Sequence, residues 1–394
     1  MEKISDLIKM IALTGRGNQS YPLINEIEIF SHFFDSEGKL DRSNLDKREG
    51  SCTRRELLMR FLVLSAVIDQ GPDIVGVRKL LQDVTNALYR REIRFLHTPL
   101  DFFKEIGISI DEILDKHGII KKLRGKIWAK ENQSNPDRYN LFMDNSKQVL
   151  NYAVFRWGVP LALPLLLERD TTDEQRKPTV LADYLDSWPS AEAMTIQLKD
   201  NERYGLGKAI GDKACHLFAK WMVTCFNLNR NQGKSWGPFS YEVPFDSNAG
   251  RVLWRTGYFL DLVDEETLVN KSVINRGQGK QGLDYIRVTN IRGIGIAKQL
   301  PSEIIEAYVD ISCNHLKTHT RSPKKVEIQR VQHAYLLSGW NENKLSIADF
   351  DEGLIHIGTH YCFNHSEPIC EKCPIAKYCE GKNSRNELIT KYRT

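Results

Sequence analysis

The chain has 394 residues, of which 41% are hydrophobic and 27% charged, and its formal net charge is +4. This length and apolar content suffice for one or two packed cores. The amino-terminal stretch MEKISDLIKMIALTG lacks a long apolar run followed by small residues, and no segment approaches roughly 18 continuous apolar residues. We therefore expect neither export nor membrane insertion, and we place the protein in the reducing cytoplasm.

Residues 1–54 combine short apolar runs with a polar surface connection, SEGKLDRSNLDKREGS at 36–51. From Arg54 to Arg91, apolar residues recur at helical spacing and are interrupted at Gly71-Pro72. Since glycine and proline end helices, this pattern predicts two consecutive helices. The chain therefore opens with a predicted all-helical region.

A basic segment follows at 118–133, GIIKKLRGKIWAKENQ, in which Lys121, Lys122 and Lys126 surround Trp128. Lysines can neutralise phosphates while an exposed indole stacks on a base, so the segment could hold DNA. A solvated helix face is the alternative, because charged runs are common on protein surfaces. The sequence leaves both interpretations open.

A glycine-rich turn runs into an apolar helix at 204–223, YGLGKAIGDKACHLFAKWMV. Gly207 and Gly211 leave the backbone open, so that amides can approach a phosphate at the helix N-terminus, with Lys208 beside them. The polar stretch LKDNER before this turn offers no buried strand, which argues against a nucleotide-binding loop of the Rossmann kind. A glycine-capped turn between packed helices is the alternative to a phosphate site.

Four cysteines lie in one C-terminal segment with the spacing Cys-x7-Cys-x2-Cys-x5-Cys: Cys362, Cys370, Cys373 and Cys379. Thiolates at such short separations can converge on one soft metal centre. Disulfides are a weaker alternative in a long chain with no cysteine framework elsewhere. Zinc is the stronger rival, although a zinc ribbon usually has two Cys-x2-Cys pairs and this segment has one.

Three segments in this order resemble the endonuclease III-like DNA glycosylases of the helix-hairpin-helix superfamily. The asymmetric cysteine spacing, with LIHIGTHYC before it, is similar to their iron–sulfur loop, although the first interval is longer than usual. VPFDSNAGRVLWRT at 243–256 looks like their catalytic-aspartate segment. The turn at 204–223 looks like their hairpin, with Ala209 in place of its first glycine. LVLSAVIDQG at 62–71 also resembles an early helix of the family.

The resemblance implies roles for individual residues. Asp246 would be the catalytic carboxylate, and Lys213 would take the place of the lyase lysine found in bifunctional members. Gln70 or Asp69 would fill the gap left by an extruded base, and Arg251 would contact DNA together with the hairpin. The four cysteines would hold a 4Fe-4S cluster.

The resemblance also implies an all-α fold of two helical lobes, with DNA lying across the cleft between them. Residues 55–243 would form a helical barrel that contains the hairpin. Residues 244–394 would contain the aspartate helix, an insertion at about 260–340 and the cluster loop. Residues 1–54 would join the cluster lobe.

We therefore expect a monomeric DNA glycosylase, associated with the nucleoid. It would flip a damaged, mismatched or modified base out of double-stranded DNA and cleave the N-glycosidic bond. A lysine-dependent lyase step and a defensive action on modified phage DNA both stay open. The competing hypothesis is a zinc- or iron–sulfur-containing protein that binds nucleic acid without catalysis. A rival active site would combine Lys298 with Asp310.

Overall fold

A computed structural model of the chain describes residues 2–18, 24–69, 74–105, 109, 158–170, 180–278, 284–297, 300–315, 326–338, 341–363, 366–384 and 388. These residues are mainly helical, as the sequence predicts, and they include two antiparallel strand pairs that the sequence analysis does not predict. No helix in these ranges is long and apolar enough to cross a membrane. The helical barrel and the DNA cleft stay predictions.

The elements before residue 201 are mostly helices: α1 (Glu2–Gly15), β1 (Arg48–Glu49), β2 (Cys52–Thr53), α2 (Arg54–Ile68), α3 (Ile74–Arg90), α4 (Pro99–Glu105), α5 (158–170), α6 (Leu181–Asp186) and α7 (Ala191–Asp200). β1 and β2 pair antiparallel. α2 ends before Gly71-Pro72 and α3 begins after it, so the two helices predicted from Arg54 to Arg91 are confirmed.

The elements after residue 201 include further α-helices and a second strand pair. In chain order these are α8 (Asp212–Lys220), α9 (Ser247–Arg255), α10 (Glu265–Asn270), β3 (Ile274–Gln278), β4 (Asp284–Val288), α11 (Ser302–His315), α12 (Val331–Leu337), α13 (Ile347–His360) and α14 (Glu380–Asn383). β3 and β4 pair antiparallel. Val288 of β4 packs on Gly250 of α9, where an added Cβ would lie 2.4 Å from the valine Cβ. The strand pair therefore lies directly against the helix that follows Asp246.

The chain divides into two compact units. Unit 1 comprises residues 1–20, 190–192 and 232–394, and unit 2 comprises residues 21–189 and 193–231. Within the segment 1–54, α1 belongs to unit 1 with the cysteine segment, whereas residues 21–54 belong to unit 2.

Unit 2 is organised around α2, whose residues are all buried, including charged ones. Arg55 forms an ion pair with Asp186. The Glu56 carboxylate accepts hydrogen bonds from the backbone amides of Leu181 and Ala182 at the start of α6, at 3.2 and 2.7 Å. Buried charges are tolerated when they are paired and hydrogen-bonded, so these contacts join α2 to α6.

Unit 1 depends on a close crossing of α1 and α13. Buried apolar residues of α1 recur every three or four positions along one face: Ile4, Leu7, Ile8 and Ile11. At the crossing, a Cβ on Gly353 would lie 1.8 Å from the backbone oxygen of Ile11, and a Cβ on Gly15 would lie 2.0 Å from that of Asp349. The two helices therefore touch through their backbones, which only glycine allows.

We expect Gly353→Ala to lower the free energy of unfolding by about 1–3 kcal/mol through overpacking, although alanine is the better helix former. Urea and thermal unfolding of parent and variant measure this loss. Gly211→Ala is the control: a Cβ there would meet no atom within 4 Å, so only the weaker helix cap of alanine, and no overpacking, should lower its stability. If Gly353→Ala were as stable as the control, the two helices could separate without cost and the crossing would not matter.

Candidate functional site

Helix α13 delivers the first cysteine of the segment. A capping box closes its N-terminus: the Asp349 amide donates to the Ser346 hydroxyl at 3.2 Å, and the Ser346 amide donates to the Asp349 carboxylate at 2.8 Å. At the other end, the amide of Cys362 donates to the carbonyl of Ile357 at 2.8 Å. The backbone of Cys362 is thereby fixed to the end of a buried helix.

The four thiols of the cysteine segment line one cavity in unit 1. The cavity has a volume of about 30 Å³, which exceeds the roughly 10–15 Å³ that one water needs. None of the four cysteines is in a disulfide. The other walls are mostly apolar side chains: Val252, Ile357, Pro368, Ile375 and Ala376. The structure therefore brings the four predicted ligands to one place, as unlinked thiols.

The sulfur positions are wide for a single metal ion. A tetrahedral zinc site with Zn–S bonds of about 2.3 Å needs thiolates roughly 3.8 Å apart. No three of the four sulfurs lie within 4.8 Å of one another. A mononuclear site would require the segment to contract, whereas in a 4Fe-4S centre each thiolate binds a different iron and the sulfurs stay further apart.

Burial opposes ionisation of these thiols. It raises the pKa of Cys373 to about 12 and that of Cys379 to about 11, and the other thiols of the cavity add to both increases. Metal ligation requires thiolates, so a metal must displace these protons when it binds. Ligation is therefore weakened as the pH falls, because protons then compete with the metal for sulfur.

Arg251 ties α9 to the cysteine segment. Its Nε donates to the carbonyl of Cys362 at 2.9 Å, and its Nη2 donates to the carbonyl of Gly358 at 3.0 Å and to the side chain of Asn248. The residue is 7% exposed, and burial lowers the pKa of its guanidinium to about 10. The expected DNA contact does not fit this geometry, because the guanidinium is committed to partners inside unit 1.

Arg255, one turn later on α9, reaches the cavity itself. Its Nη1 donates to the carbonyl of Phe363 and lies 3.6 Å from the sulfur of Cys362. No role for this arginine is predicted from the sequence. Its separation of four residues from Arg251 places both on one helix face, and that spacing is the signal that could have identified it.

Asp246 is the N-cap of α9. Its Oδ1 accepts from the amides of Asn248 and Ala249, both at 2.9 Å. The residue is half-buried, and the two bonds hold the carboxylate in one orientation. Asp246 and the cysteine cavity thus lie at opposite ends of α9, within the same unit.

The hairpin segment lies in unit 2. Gly207 has a φ of +53°, a left-handed conformation that favours glycine, and begins the 3-10 turn Gly207–Ala209. Gly211 is the N-cap of α8 and supplies no side-chain cap for its first amides. Lys213 is half-buried in the first turn of α8. A functional pairing of Lys213 with Asp246, which belongs to unit 1, stays a prediction.

Asp310, from the rival site, pairs with Lys234 at 2.6 Å and is about half exposed. A carboxylate that is exposed and paired with a lysine is a weaker candidate than Asp246 for stabilising a sugar cation. Asp69, the predicted alternative to Gln70, is 5% exposed and lies 3.8 Å from Arg78. The other predicted residues lie outside the described part of the chain, or their side chains do: Lys298, Lys208, Gln70, Lys121, Lys122 and Lys126.

Serine in place of any one of the four cavity cysteines should remove the metal centre, because a thiolate ligand is lost. We expect the visible absorption, iron and inorganic sulfide of the purified protein to fall to background, and the Tm to fall with them. Cys52→Ser is the control, since that thiol is buried in unit 2. Stoichiometric zinc without iron after anaerobic purification would contradict the iron–sulfur assignment.

Comparison with known proteins supplies no relative to set beside this geometry: no family model, no curated protein and no solved structure matches the chain. A function has to be argued from the residues and contacts of the chain itself.

Proposed function

We propose that the chain is an endonuclease III-like DNA glycosylase, which extrudes a base from double-stranded DNA and cleaves its N-glycosidic bond. Asp246 is the catalytic carboxylate, and the four cysteines hold a 4Fe-4S cluster. The observation that carries the proposal is the placement of Asp246 and the four-thiol cavity at the two ends of α9.

The capping geometry of Asp246 suits the chemistry of the reaction. Cleavage of the bond builds positive charge on the deoxyribose as the base leaves with the bonding electron pair. A carboxylate about 4 Å from this charge would stabilise it by about 4 kcal/mol at an effective dielectric near 20, or about a thousandfold in rate. The two hydrogen bonds from backbone amides fix the carboxylate before substrate binds, so the site needs little reorganisation during the reaction.

The hairpin supports a contact with the DNA backbone. Its left-handed Gly207 and its glycine N-cap at Gly211 carry no side chain, which lets a phosphate approach the first turn of α8 closely. Lys208 and the basic segment at 118–133 would add phosphate contacts. The target base must leave the stack, which costs a few kcal/mol, because its glycosidic bond is otherwise out of reach.

The cysteine cavity fits a thiolate-bound centre, since four unlinked thiols surround a space that also contains a buried arginine. When bound, a 4Fe-4S cluster would supply four Fe–S bonds that close the segment after α13. Arg251 then holds the carbonyl of Cys362, and α9 carries this support to Asp246. The chain's own part is to keep the carboxylate in place.

The insertion at about 260–340 is the candidate region for substrate choice. The strand pair of this region packs on α9 through Val288 and Gly250. The region therefore contacts the helix that Asp246 caps. Extra structure there could admit or recognise a bulky modified base. A defensive enzyme that acts on phage DNA would need this capacity.

A non-catalytic nucleic-acid-binding protein with a zinc or iron–sulfur centre is the second candidate. The observation in its favour is that capping α9 is a complete structural role for Asp246. Incubation with DNA duplexes that carry damaged, mismatched or hypermodified bases, followed by mass spectrometry of released bases, separates the two candidates. Release of a free base would exclude the second one.

Asp246→Asn should separate catalysis from capping, because asparagine caps a helix about as well as aspartate but carries no charge. We expect base release to fall about a thousandfold while Tm, metal content and DNA affinity stay near those of the parent. Asp246→Ala, which loses charge and cap together, should also lose about 1 kcal/mol of stability. Undiminished base release by Asp246→Asn would remove Asp246 from the active site.

Lys213 decides whether the enzyme also has lyase activity. A neutral lysine amine can attack the sugar carbon and form a Schiff base, which borohydride reduces to a stable covalent link with DNA. We expect the parent protein to be trapped in this way and Lys213→Arg to bind DNA without being trapped, since arginine keeps the positive charge. A parent protein that releases base but is never trapped would be a monofunctional glycosylase.

A further inference from the structure

Arg255 is the most deeply buried charge on the wall of the cysteine cavity. It is 1% exposed and lines the cavity together with all four cysteines. The thiol of Cys379 donates to the Arg255 carbonyl at 3.6 Å, so the segment contacts both the backbone and the side chain of this residue. A guanidinium buried at this place requires hydrogen-bond acceptors or an anion close to it.

The guanidinium of Arg255 has fewer partners than its position requires. Nη1 donates to the carbonyl of Phe363, but Nε and Nη2 are buried without a hydrogen-bond partner among the described residues. Arg251 on the same helix face differs, because its Nε and Nη2 both donate to carbonyls. A buried cation is stable when an anion or strong acceptors face it. Among the described residues of the cavity wall, the sulfur of Cys362, 3.6 Å from Nη1, is the acceptor that Arg255 meets, and Nε and Nη2 are left without one.

We propose that Arg255 is the charge partner of the centre held by the four cysteines: Nη1 already lies 3.6 Å from the sulfur of Cys362, and the negative charge of the centre would stabilise the buried guanidinium, whose Nε and Nη2 have no other partner among the described residues. This inference rests on the cluster of the proposed function. Four thiolates on a 4Fe-4S core leave the centre with a net negative charge, and a buried guanidinium offsets part of it. Arg255 thus joins the metal centre, the backbone of Phe363 and α9.

The role has a consequence for the electronic state of the centre. Positive charge and hydrogen bonds to sulfur favour the state with more negative charge, which is the reduced one, and so raise the reduction potential. The effect is large where water is excluded, because the effective dielectric is low. Loss of the guanidinium should therefore move the potential to more negative values.

Voltammetry of the purified holoprotein tests this with Arg255→Met and a matched control, Lys382→Met. Lys382 also lines the cavity, but its side chain is 31% exposed and pairs with Glu371 at 3.3 Å, so water and the carboxylate screen its charge. We expect a negative shift of the potential for Arg255→Met that clearly exceeds the shift for Lys382→Met. Equal shifts, or none, in variants with full iron content would overturn the assignment.

A second measurement covers the case in which Arg255→Met does not retain iron. Pulsed EPR of the paramagnetic state of the parent centre, in protein labelled with 15N-arginine, should show weakly coupled arginine nitrogen. Arg255→Lys, which keeps the charge without those nitrogens, should lose the coupling. A parent centre without arginine coupling overturns the role of Arg255 and leaves the cluster intact, whereas a protein without iron and sulfide overturns the cluster itself.

Discussion

The hydrogen bonds from α9 to carbonyls at the end of α13 are the interaction on which the candidate site depends. The last carbonyls of a helix have no partner within it, and Arg251 supplies one for Gly358. A cation is favoured there because the helix dipole is negative at that end. Bonds from a charged donor contribute about 1.5–3 kcal/mol each. A helix as short as α9 is marginal alone, so it depends on its packing against α13 and the strand pair.

This dependence extends to the N-terminus of the chain. α13 is held by α1 through the glycine crossing, and Lys3 at the start of α1 forms an ion pair with Glu380 of α14. Gly257, which follows α9 with a φ of +82°, lies so close to Glu380 that a Cβ would fall 2.8 Å from its Cγ. The N-terminal helix therefore supports both sides of the cysteine segment, although most of the chain separates them in sequence.

The features that depend on short stretches of sequence were predictable from the sequence. Helical periodicity and the break at Gly71-Pro72 were sufficient for α2 and α3, and the cysteine spacing indicated which thiols share a cavity. Burial of charge was not predictable, because Glu56 finds its amide partner Leu181 at a separation of 125 residues. The burial of Arg251 was missed for the same reason. β3 and β4 were missed because the register of the strand pair depends on packing against α9 as well as on its own alternation.

The contact between Gly250 and Val288 bears on the prediction that residues 260–340 are an insertion. A segment added to the surface of an older core would leave α9 with an ordinary side chain at this position. Here position 250 is glycine, and the space that a side chain would fill is occupied by Val288 of the strand pair, so the residues at these two positions constrain each other. Relatives that lack the strand pair should be free to carry alanine or a larger residue at position 250, whereas those that retain it should keep glycine. The strand pair is in this sense part of the core of unit 1.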